Sequence, residues 1–206
     1  MQRAISYIDG FNLYFGLRSK GWRKYYWLNL VSLTKALLKP DQVFMHCHYF
    51  TARIRTSGYQ SQDAHRQSTW LDALTTQQNL TMHYGHYLPK TVKCKQCGAE
   101  WTTHEEKMTD VNIAAQLLTD AYEDRFDVAL VVSGDSDLTT PINLLRNRFP
   151  NKRVIVVFPP DRRSAELKKA AHGSTILGED KLRHNLLPET IMTNSGFTLI
   201  RPHQWR

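Results

Sequence analysis

The sequence predicts an α/β fold, a three-layer α/β/α sandwich around a mainly parallel central sheet. Short apolar runs alternate with longer amphipathic stretches, as strands joined by crossover helices do. Two of the apolar runs, DVALVV at 127–132 and RVIVVF at 153–158, are continuous, which indicates strands covered on both faces. Because 206 residues suffice for one full core, we expect a single domain over residues 1–206.

The candidate strands are short apolar runs, and the candidate helices lie between them. The strands are AISYI (4–8), VFMHCHYF (43–50), LTMHYGHY (80–87), DVALVV (127–132) and RVIVVF (153–158). The helices lie near residues 10–19, 29–38, 61–79, 105–123, 137–148 and 162–171. In such sheets ligands bind beyond the carboxyl ends of the strands. If the first and fourth strands are neighbours, the polar residues that follow them meet at one edge.

Composition narrows the classes of function. The chain has 27 Lys and Arg against 19 Asp and Glu, a formal charge of +8, which favours a polyanionic partner such as nucleic acid. No apolar run approaches the roughly 20 residues that span a bilayer, and the first residues lack a secretory leader. We therefore expect a cytoplasmic protein with no membrane partner. Dinucleotide and nucleoside triphosphate binding are disfavoured, since no GxGxxG or GxxxxGK[ST] follows a candidate strand.

Acidic residues follow two of the candidate strands. Asp9 ends the first one, and Asp135 and Asp137 follow the fourth one in VVSGDSD. Taken alone, the pair in GDSD is as typical of a helix N-cap as of a ligand. Asp110 strengthens the second interpretation. On a helix from 105 to 123, a rotation of about 100° per residue places Asp110 on the apolar arc, with Glu106 and Lys107 in the first turn.

A carboxylate that faces the sheet must be compensated by a cation or by hydrogen bonds, unless it only complements the helix dipole. Four acids at one edge would repel each other and raise each other's pKa, and a divalent cation removes both effects. Mg²⁺ or Mn²⁺ suits carboxylate oxygens and can activate a water for attack on a phosphate. Asn12 can orient that water or form a turn, and Lys107 can hold a phosphate or pack its stem.

Basic and aromatic segments indicate where a nucleic acid would lie. GWRKYYW at 21–27 mixes Arg and Lys with aromatic rings, as base-stacking surfaces do, although half of these rings could belong to the core. Further basic pairs occur in RIR at 53–55 and KK at 168–169. The segment DRRS follows the last candidate strand, so Arg162, Arg163 and Ser164 are the best candidates for substrate contact.

Three cysteines are too few for a disulfide framework, so Cys94 and Cys97 are interpreted as reduced thiols or metal ligands. Their CxxC spacing is that of a zinc knuckle, but a closed zinc site needs four ligands. The candidates to complete it are His104, His83, His86 and Cys47. A plain reduced turn remains the alternative.

Three segments together resemble the NYN domains of the PIN-like nuclease superfamily, in particular the LabA-like bacterial branch. They are YIDGFNLYFGL, HEEKMTDVNIAAQLLTDAYEDRFDVALVVSGDSDLTTPI and KRVIVVFPPDRRSAELKKAAHG, and the likeness runs from Ile5 to about Gly173. The resemblance implies a PIN-like sandwich and metal-dependent cleavage of RNA. It aligns Asp9, Asp110 and Asp135 with metal-binding acids, and Asp137 and Asn12 with positions that support them.

The resemblance also divides the chain further. It implies a CxxC-containing insertion near residues 88–104 before the EEK motif, and a C-terminal extension near 174–206. The resulting hypothesis is a metal-dependent endoribonuclease that hydrolyses RNA phosphodiester bonds with a metal-activated water.

Two other functions compete with it. One is a non-catalytic module that binds RNA or regulates a partner. The other is a haloacid-dehalogenase-like phosphatase, but that chemistry needs a second acid two residues after Asp9, where this sequence has Phe11.

Overall fold

The computed structural model describes residues 1–54, 61–193 and 195–206. Its strands are β1 (Gln2–Asp9), β2 (Gln42–Thr51), β3 (Leu80–Tyr84), β4 (His86–Lys93), β5 (Glu100–Lys107), β6 (Val128–Val132), β7 (Arg153–Phe158), β8 (Gly173–Ile176), β9 (Thr190–Met192) and β10 (Thr198–Ile200). Its α-helices are α1 (Gly10–Ser19), α2 (Leu30–Leu37), α3 (Ser61–Leu74), α4 (Thr109–Tyr122), α5 (Thr139–Arg148), α6 (Ala165–Ala170) and α7 (Glu179–Arg183). Arg55 of the basic segment RIR lies outside the described residues.

Six strands form one central sheet in the order β3-β2-β1-β6-β7-β8, and each neighbouring pair is parallel. Successive side chains of β1 enter opposite cores. Ile8 packs with residues of α1, α2 and α3, whereas Tyr7 packs with residues of α4, α5 and α6. All five residues of β6 are buried, as a strand with two covered faces requires. The predicted three-layer α/β/α sandwich is confirmed.

The strand order at the centre of the sheet indicates where a ligand can bind. Strands β2 and β3 lie on one side of β1, and β6, β7 and β8 lie on the other side. Strands β1 and β6 are therefore neighbours, as expected, and the strand order reverses between them. Open α/β sheets bind ligands in the crevice at the carboxyl ends beside such a reversal.

The helix predicted from residue 105 is wrong at its start. Glu106 and Lys107 belong to β5, which pairs antiparallel with β4 in a hairpin outside the central sheet. Met108 then has a φ of +83°, a left-handed conformation that cannot continue a helix, and α4 begins at Thr109. The predicted CxxC insertion near 88–104 lies within this hairpin. The predicted strand 80–87 is likewise divided at Gly85 into β3 and β4.

The segment predicted as a C-terminal extension, residues 174–206, contributes to the fold in several ways. Most of β8 lies in it and forms an edge of the central sheet, and β9 and β10 pair as a separate hairpin. Leu182 of α7 and Trp205 are buried in the same core as α1 and α2. None of the helices in the described ranges is long and apolar enough to traverse a lipid bilayer.

Candidate functional site

Asp9 is the last residue of β1 and is almost fully buried, with 1% of its surface exposed. Its Oδ1 accepts a hydrogen bond from the backbone N–H of Asn12 at 3.0 Å, which caps α1. Its Oδ2 accepts from Asn12 Nδ2 at 2.6 Å and from Ser133 Oγ at 2.8 Å. Burial raises the pKa of Asp9, these hydrogen bonds oppose the rise, and the charge of Asp135 adds to it. The buried acid is held in one orientation.

The loop after β6 is tied to Asp9 by short polar contacts. The backbone N–H of Gly134 donates to Asn12 Oδ1 at 3.2 Å, and that of Asp135 donates to Ser133 Oγ at 3.0 Å. Ser133 is fully buried. Sequence reasoning missed it, although a serine directly after a buried apolar strand is a detectable signal. Asn12 and Ser133 thus connect the ends of the two central strands.

Asp110 lies half-buried in the first turn of α4. Its pKa is raised to about 7, first by burial and then by the negative charges of Asp9, Asp135, Glu106 and Asp137. The charges of these acids all act on Asp110. The carboxylates predicted from three separate motifs therefore lie close enough to raise its pKa.

Asp135 and Asp137 occupy the turn that follows β6. Asp135 Oδ1 accepts from the backbone N–H of Asp137 at 3.0 Å and caps the 3₁₀ turn Ser136–Leu138. The capping interpretation of this pair is therefore correct for Asp135. It leaves the second carboxylate oxygen of Asp135 for another partner, and Asp137 is exposed.

Glu106 and Lys107 reach the site from β5 rather than from a helical turn. Glu106 Oε1 accepts from the backbone N–H of Thr109 at 3.0 Å and also bonds its hydroxyl, so Glu106 caps the helix that carries Asp110. The role predicted for Lys107 starts from the wrong element, because its side chain is exposed at the end of β5.

Arg162, Arg163 and Ser164 follow β7 at the same edge of the sheet. The guanidinium of Arg162 lies over the ring of Phe15, 5.6 Å from its centre. The carbonyl oxygen of Arg162 would be 2.6 Å from a Cβ added to Gly134, so this loop packs directly on the GDSD turn. Arg163 is exposed. Ser164 is buried and its Oγ accepts from the N–H of Leu167 at 3.1 Å, so this hydroxyl caps α6.

The aromatic residues of GWRKYYW divide between the two interpretations. Trp27 and Tyr25 are buried in the core. Tyr26 is half-buried and its ring centre is 5.1 Å from that of Tyr14 of α1. Arg23 and Lys24 are exposed, and Lys24 pairs with Glu179 at 3.1 Å. Only part of the segment is thus available for contact with a ligand.

Cys94 and Cys97 lie in the turn between β4 and β5. The N–H of Gly98 donates to the carbonyl of Cys94 at 3.0 Å, and backbone N–H groups of Cys97 and Gln96 lower the pKa of the Cys94 thiol. Of the proposed further ligands, Cys47 is fully buried in the central sheet and His83 bonds His48 at 2.9 Å. The side chain of His104 lies outside the described residues. Zinc binding at the CxxC stays a prediction.

The donor set at the edge of the sheet fits a hard divalent cation. Within residues 1–54, 61–193 and 195–206, no group of three or more His, Cys, Asp or Glu side chains could hold a metal ion by itself. Mg²⁺ does not need one, because it is usually held by one or two carboxylates together with waters and substrate phosphates. Carboxylates such as those of Asp9, Asp110 and Asp135 have the chemistry of such ligands, and their role as ligands stays a prediction.

Comparison with known proteins supports the fold and identifies a family. The profile of the NYN domain family matches residues 3–178. A solved structure of a protein of unknown function from Vibrio parahaemolyticus, VPA0982, has a TM-score of 0.54 at 18% identity, with 90% of this chain and 96% of that chain covered. At this identity the likeness shows the fold alone.

A curated relative is also found, the 6-hydroxy-3-succinoylpyridine 3-monooxygenase HspA of Pseudomonas putida. It is 29% identical over 207 aligned residues, which cover 82% of this chain. The chain spans about 65% of the length of that relative.

Proposed function

This chain belongs to the NYN domain family, which is PIN-like and generally nuclease-like, and we propose that it is a ribonuclease that depends on Mg²⁺ or Mn²⁺ and hydrolyses RNA phosphodiester bonds. Within the family we infer that it belongs to the LabA-like branch, on the strength of the EEK-x-x-D and SGDSD segments. The substrate class is RNA, and the cut is made within the strand.

The observation that carries this proposal is the environment of Asp110. A half-buried carboxyl whose pKa is raised to about 7, first by burial and then by the charges of four other acids, is an arrangement that lowers the stability of the cation-free protein. A divalent cation would compensate these charges, and a phosphate could then approach the carboxylates. A module that only bound phosphates would gain nothing from them.

We assign each acid a role from its surroundings. Asp9, fixed by Asn12 and Ser133, would be the rigid ligand, and Asp135 would use the oxygen that its cap does not occupy. Asp110 would be the third ligand, on a helix start held by Glu106. The bound cation would lower the pKa of a water and neutralise charge on the attacked phosphate. Asp137 and Asn12 would support these ligands.

Basic residues at the same edge would hold the RNA. Arg162 packs on the turn that carries Asp135 and Arg163 is exposed beside it, so both would contact phosphates of the strand. Lys107 would contribute a further positive charge from β5. The buried capping hydroxyl of Ser164 would position this loop rather than bind substrate.

The decisive experiment incubates the purified protein with single-stranded RNA and Mn²⁺. We expect cleavage that EDTA abolishes, and at least about 100-fold slower cleavage by Asp110→Asn and Asp135→Asn, because a metal's charge stabilisation contributes several kcal/mol. Asp127→Asn, at the opposite edge of the sheet, is the matched control and keeps its activity. Equal cleavage by wild type and the two site variants would show a contaminating nuclease and refute the proposal.

A non-catalytic RNA-binding module is the second candidate. It is favoured by one observation, that among the described residues no three ligands stand ready to enclose a metal. Such a module would bind RNA with an affinity that falls with salt, survives loss of the acids and is accompanied by no turnover.

The activity in the name of the Pseudomonas putida relative provides a separate assay. Incorporation of oxygen into a hydroxypyridine by this chain would contradict the hydrolase proposal. We do not transfer that activity, because the two sequences share 29% identity and this chain spans only about 65% of the relative.

A further inference from the structure

A cavity of about 180 Å³ lies next to the start of α1, and aromatic rings form most of its wall. They include Phe11, Tyr14, Tyr26, Tyr49, Trp70 and Tyr87. For comparison, an engineered apolar cavity of about 150 Å³ in another protein binds benzene. This cavity therefore has room for one small ring system and is too small for a drug-sized ligand, which needs about 300 Å³ or more.

The cavity borders the chain segment that carries Asp9. Gly10 lines it and directly follows Asp9 in the chain. A Cβ added to Gly10 would lie 2.6 Å from the hydroxyl of Tyr49 and 2.6 Å from the carbonyl of Phe50, so the turn after β1 packs tightly against the cavity wall. Only glycine allows the buried acid and these rings to lie so close together.

Arg162 connects the acids to the cavity on a second side. Its backbone packs on Gly134 of the GDSD turn, and its guanidinium stacks on Phe15, a residue of the cavity wall. A phosphate bound by Arg162 would therefore lie close both to the acids and to the cavity.

The wall combines stacking faces with hydrogen-bond donors. Tyr14 and Tyr26 present rings whose centres are 5.1 Å apart, and Thr51 adds a hydroxyl. The pKa of Tyr26 is raised to about 12, first by burial and then by the charge of Tyr14, so this hydroxyl stays protonated. A heteroaromatic base has a flat face that stacks on such rings and polar edges that can bond to such hydroxyls.

We propose that this aromatic cavity, lined by Tyr14 and Tyr26, binds one unpaired nucleobase of the RNA whose adjacent phosphate lies at the acids. The inference rests on the proposed function, because it places the phosphate there. It narrows the substrate to RNA that is single-stranded at this nucleotide, since a base inside a duplex cannot enter the cavity. Sequence preference at the cut would then arise from the fit of that base.

Tyr14 is the residue to change, because 42% of its surface is exposed and its loss should not unfold the protein. Tyr14→Leu removes the ring and Tyr14→Phe keeps it. Tyr122→Leu is the matched control, because Tyr122 is also exposed, at 64%, and also packs edge-on against an aromatic ring, that of Phe149. Binding is measured with Ca²⁺ in place of Mg²⁺, so that the result does not depend on turnover.

The probe is a single-stranded oligoribonucleotide that carries the fluorescent base 2-aminopurine, scanned along the strand, together with a copy that is abasic at the responding position. We expect quenching by wild type, Tyr14→Phe and Tyr122→Leu, and about 10-fold weaker binding by Tyr14→Leu, the size of one base–aromatic stack. The abasic copy should bind wild type about 10-fold more weakly and Tyr14→Leu with no further loss.

Equal losses caused by Tyr14→Leu on intact and abasic RNA would overturn the nucleobase site, whether or not the protein cleaves RNA. Binding of a free hydroxypyridine that depends on Tyr14 and does not compete with RNA would also overturn it. A base-dependent effect of Tyr14→Leu in a protein that never cleaves RNA would support the site while the hydrolase proposal falls, so the two failures are distinguishable.

Discussion

Acidic residues at the two edges of the central sheet have pKa values that are shifted in opposite directions. At the carboxyl edge, the pKa of Asp9 is raised by burial, and that of Asp110 by burial and by other acids. At the amino edge, Asp127 accepts from Arg3 Nη2 at 2.8 Å and from the backbone N–H of Arg3 at 2.7 Å. Hydrogen bonds from Arg3 lower the pKa of Asp127.

Asp124 at the amino edge is also paired with cations. It accepts from Lys152 Nζ at 2.5 Å and from Arg3 Nη2 at 3.0 Å, and both contacts lower its pKa. The fold therefore supplies its own positive charges where acids only hold strands together. Where burial and other acids raise the pKa values, we propose that a bound cation supplies the compensating charge, and this difference would separate structural from functional acids.

Asp120 shows whether burial or hydrogen-bonding partners decide the pKa of an acid in this protein. It is fully buried, and it has partners. Burial would raise its pKa, but hydrogen bonds from His48 and Tyr7 lower it. Tyr7 donates to it at 2.7 Å, and His48 Nε2 lies 3.2 Å away. We expect Asp120→Ala to lower the free energy of unfolding by about 3–5 kcal/mol, the cost of breaking a buried pair.

Urea denaturation at pH 7 in EDTA measures this loss. Asp120→Asn, which keeps an acceptor for Tyr7, should lose less. A loss below about 1 kcal/mol for Asp120→Ala would mean that the contacts with Tyr7 and His48 do not stabilise the fold.

The next largest expected effect is a loss of stability at low pH, and it is caused by His83. Burial and then the charge of neighbouring His48 lower its pKa from 6.5 to about 4, while Asp120 opposes the shift. Because the unfolded chain binds the proton more readily, stability is full above pH 6.5 and falls as the pH drops towards 4. The loss should reach about 2–3 kcal/mol.

Chemical denaturation at several pH values between 7 and 4 tests this expectation. In His83→Gln the slope in this window should be much smaller. Parallel curves for variant and wild type would show that another group titrates there.

The smallest expected effect is a difference in stability between two variants, one at each edge of the sheet. Asp110→Asn removes a charge from a repelling group, so in EDTA at pH 8 the protein should become more stable by about 1 kcal/mol. Asp127→Asn removes an acceptor from Arg3 and should become less stable by about 1 kcal/mol. Differential scanning calorimetry measures both. Shifts of the same sign would remove the distinction between the edges.

Much of this could be predicted from local sequence patterns. The continuous runs VALVV and RVIVVF indicate buried strands, and the position of Asp9 and Asp135 at strand ends places them at one edge. The helical pattern places Asp110 on the apolar side of its helix, and the structure has this residue half-buried, although α4 begins four residues later than expected. The positions of Asp9 and Asp135 follow from parallel strand topology, whereas that of Asp110 follows from the period of its helix.

The hairpin and the aromatic cavity could not be predicted in the same way. The run EWTTHEEK carries charged residues that suit a first helical turn, and only its pairing with β4, which local periodicity does not report, makes it a strand. The cavity brings Tyr14, Trp70 and Tyr87 together from three distant segments. Only tertiary packing brings these rings together. In the sequence, each ring alone is typical of a core residue.

The base of the hairpin is far more tightly packed than its tip. A Cβ added to Gly85 would lie 2.5 Å from the carbonyl oxygen of Lys107 and 3.1 Å from Thr109 Oγ1, whereas one added to Gly98 would meet nothing within 4 Å. For protein engineering, the two ends are therefore unequal. A peptide tag inserted at the exposed tip should leave the helix that carries Asp110 undisturbed, while even one methyl group at Gly85 would displace its start.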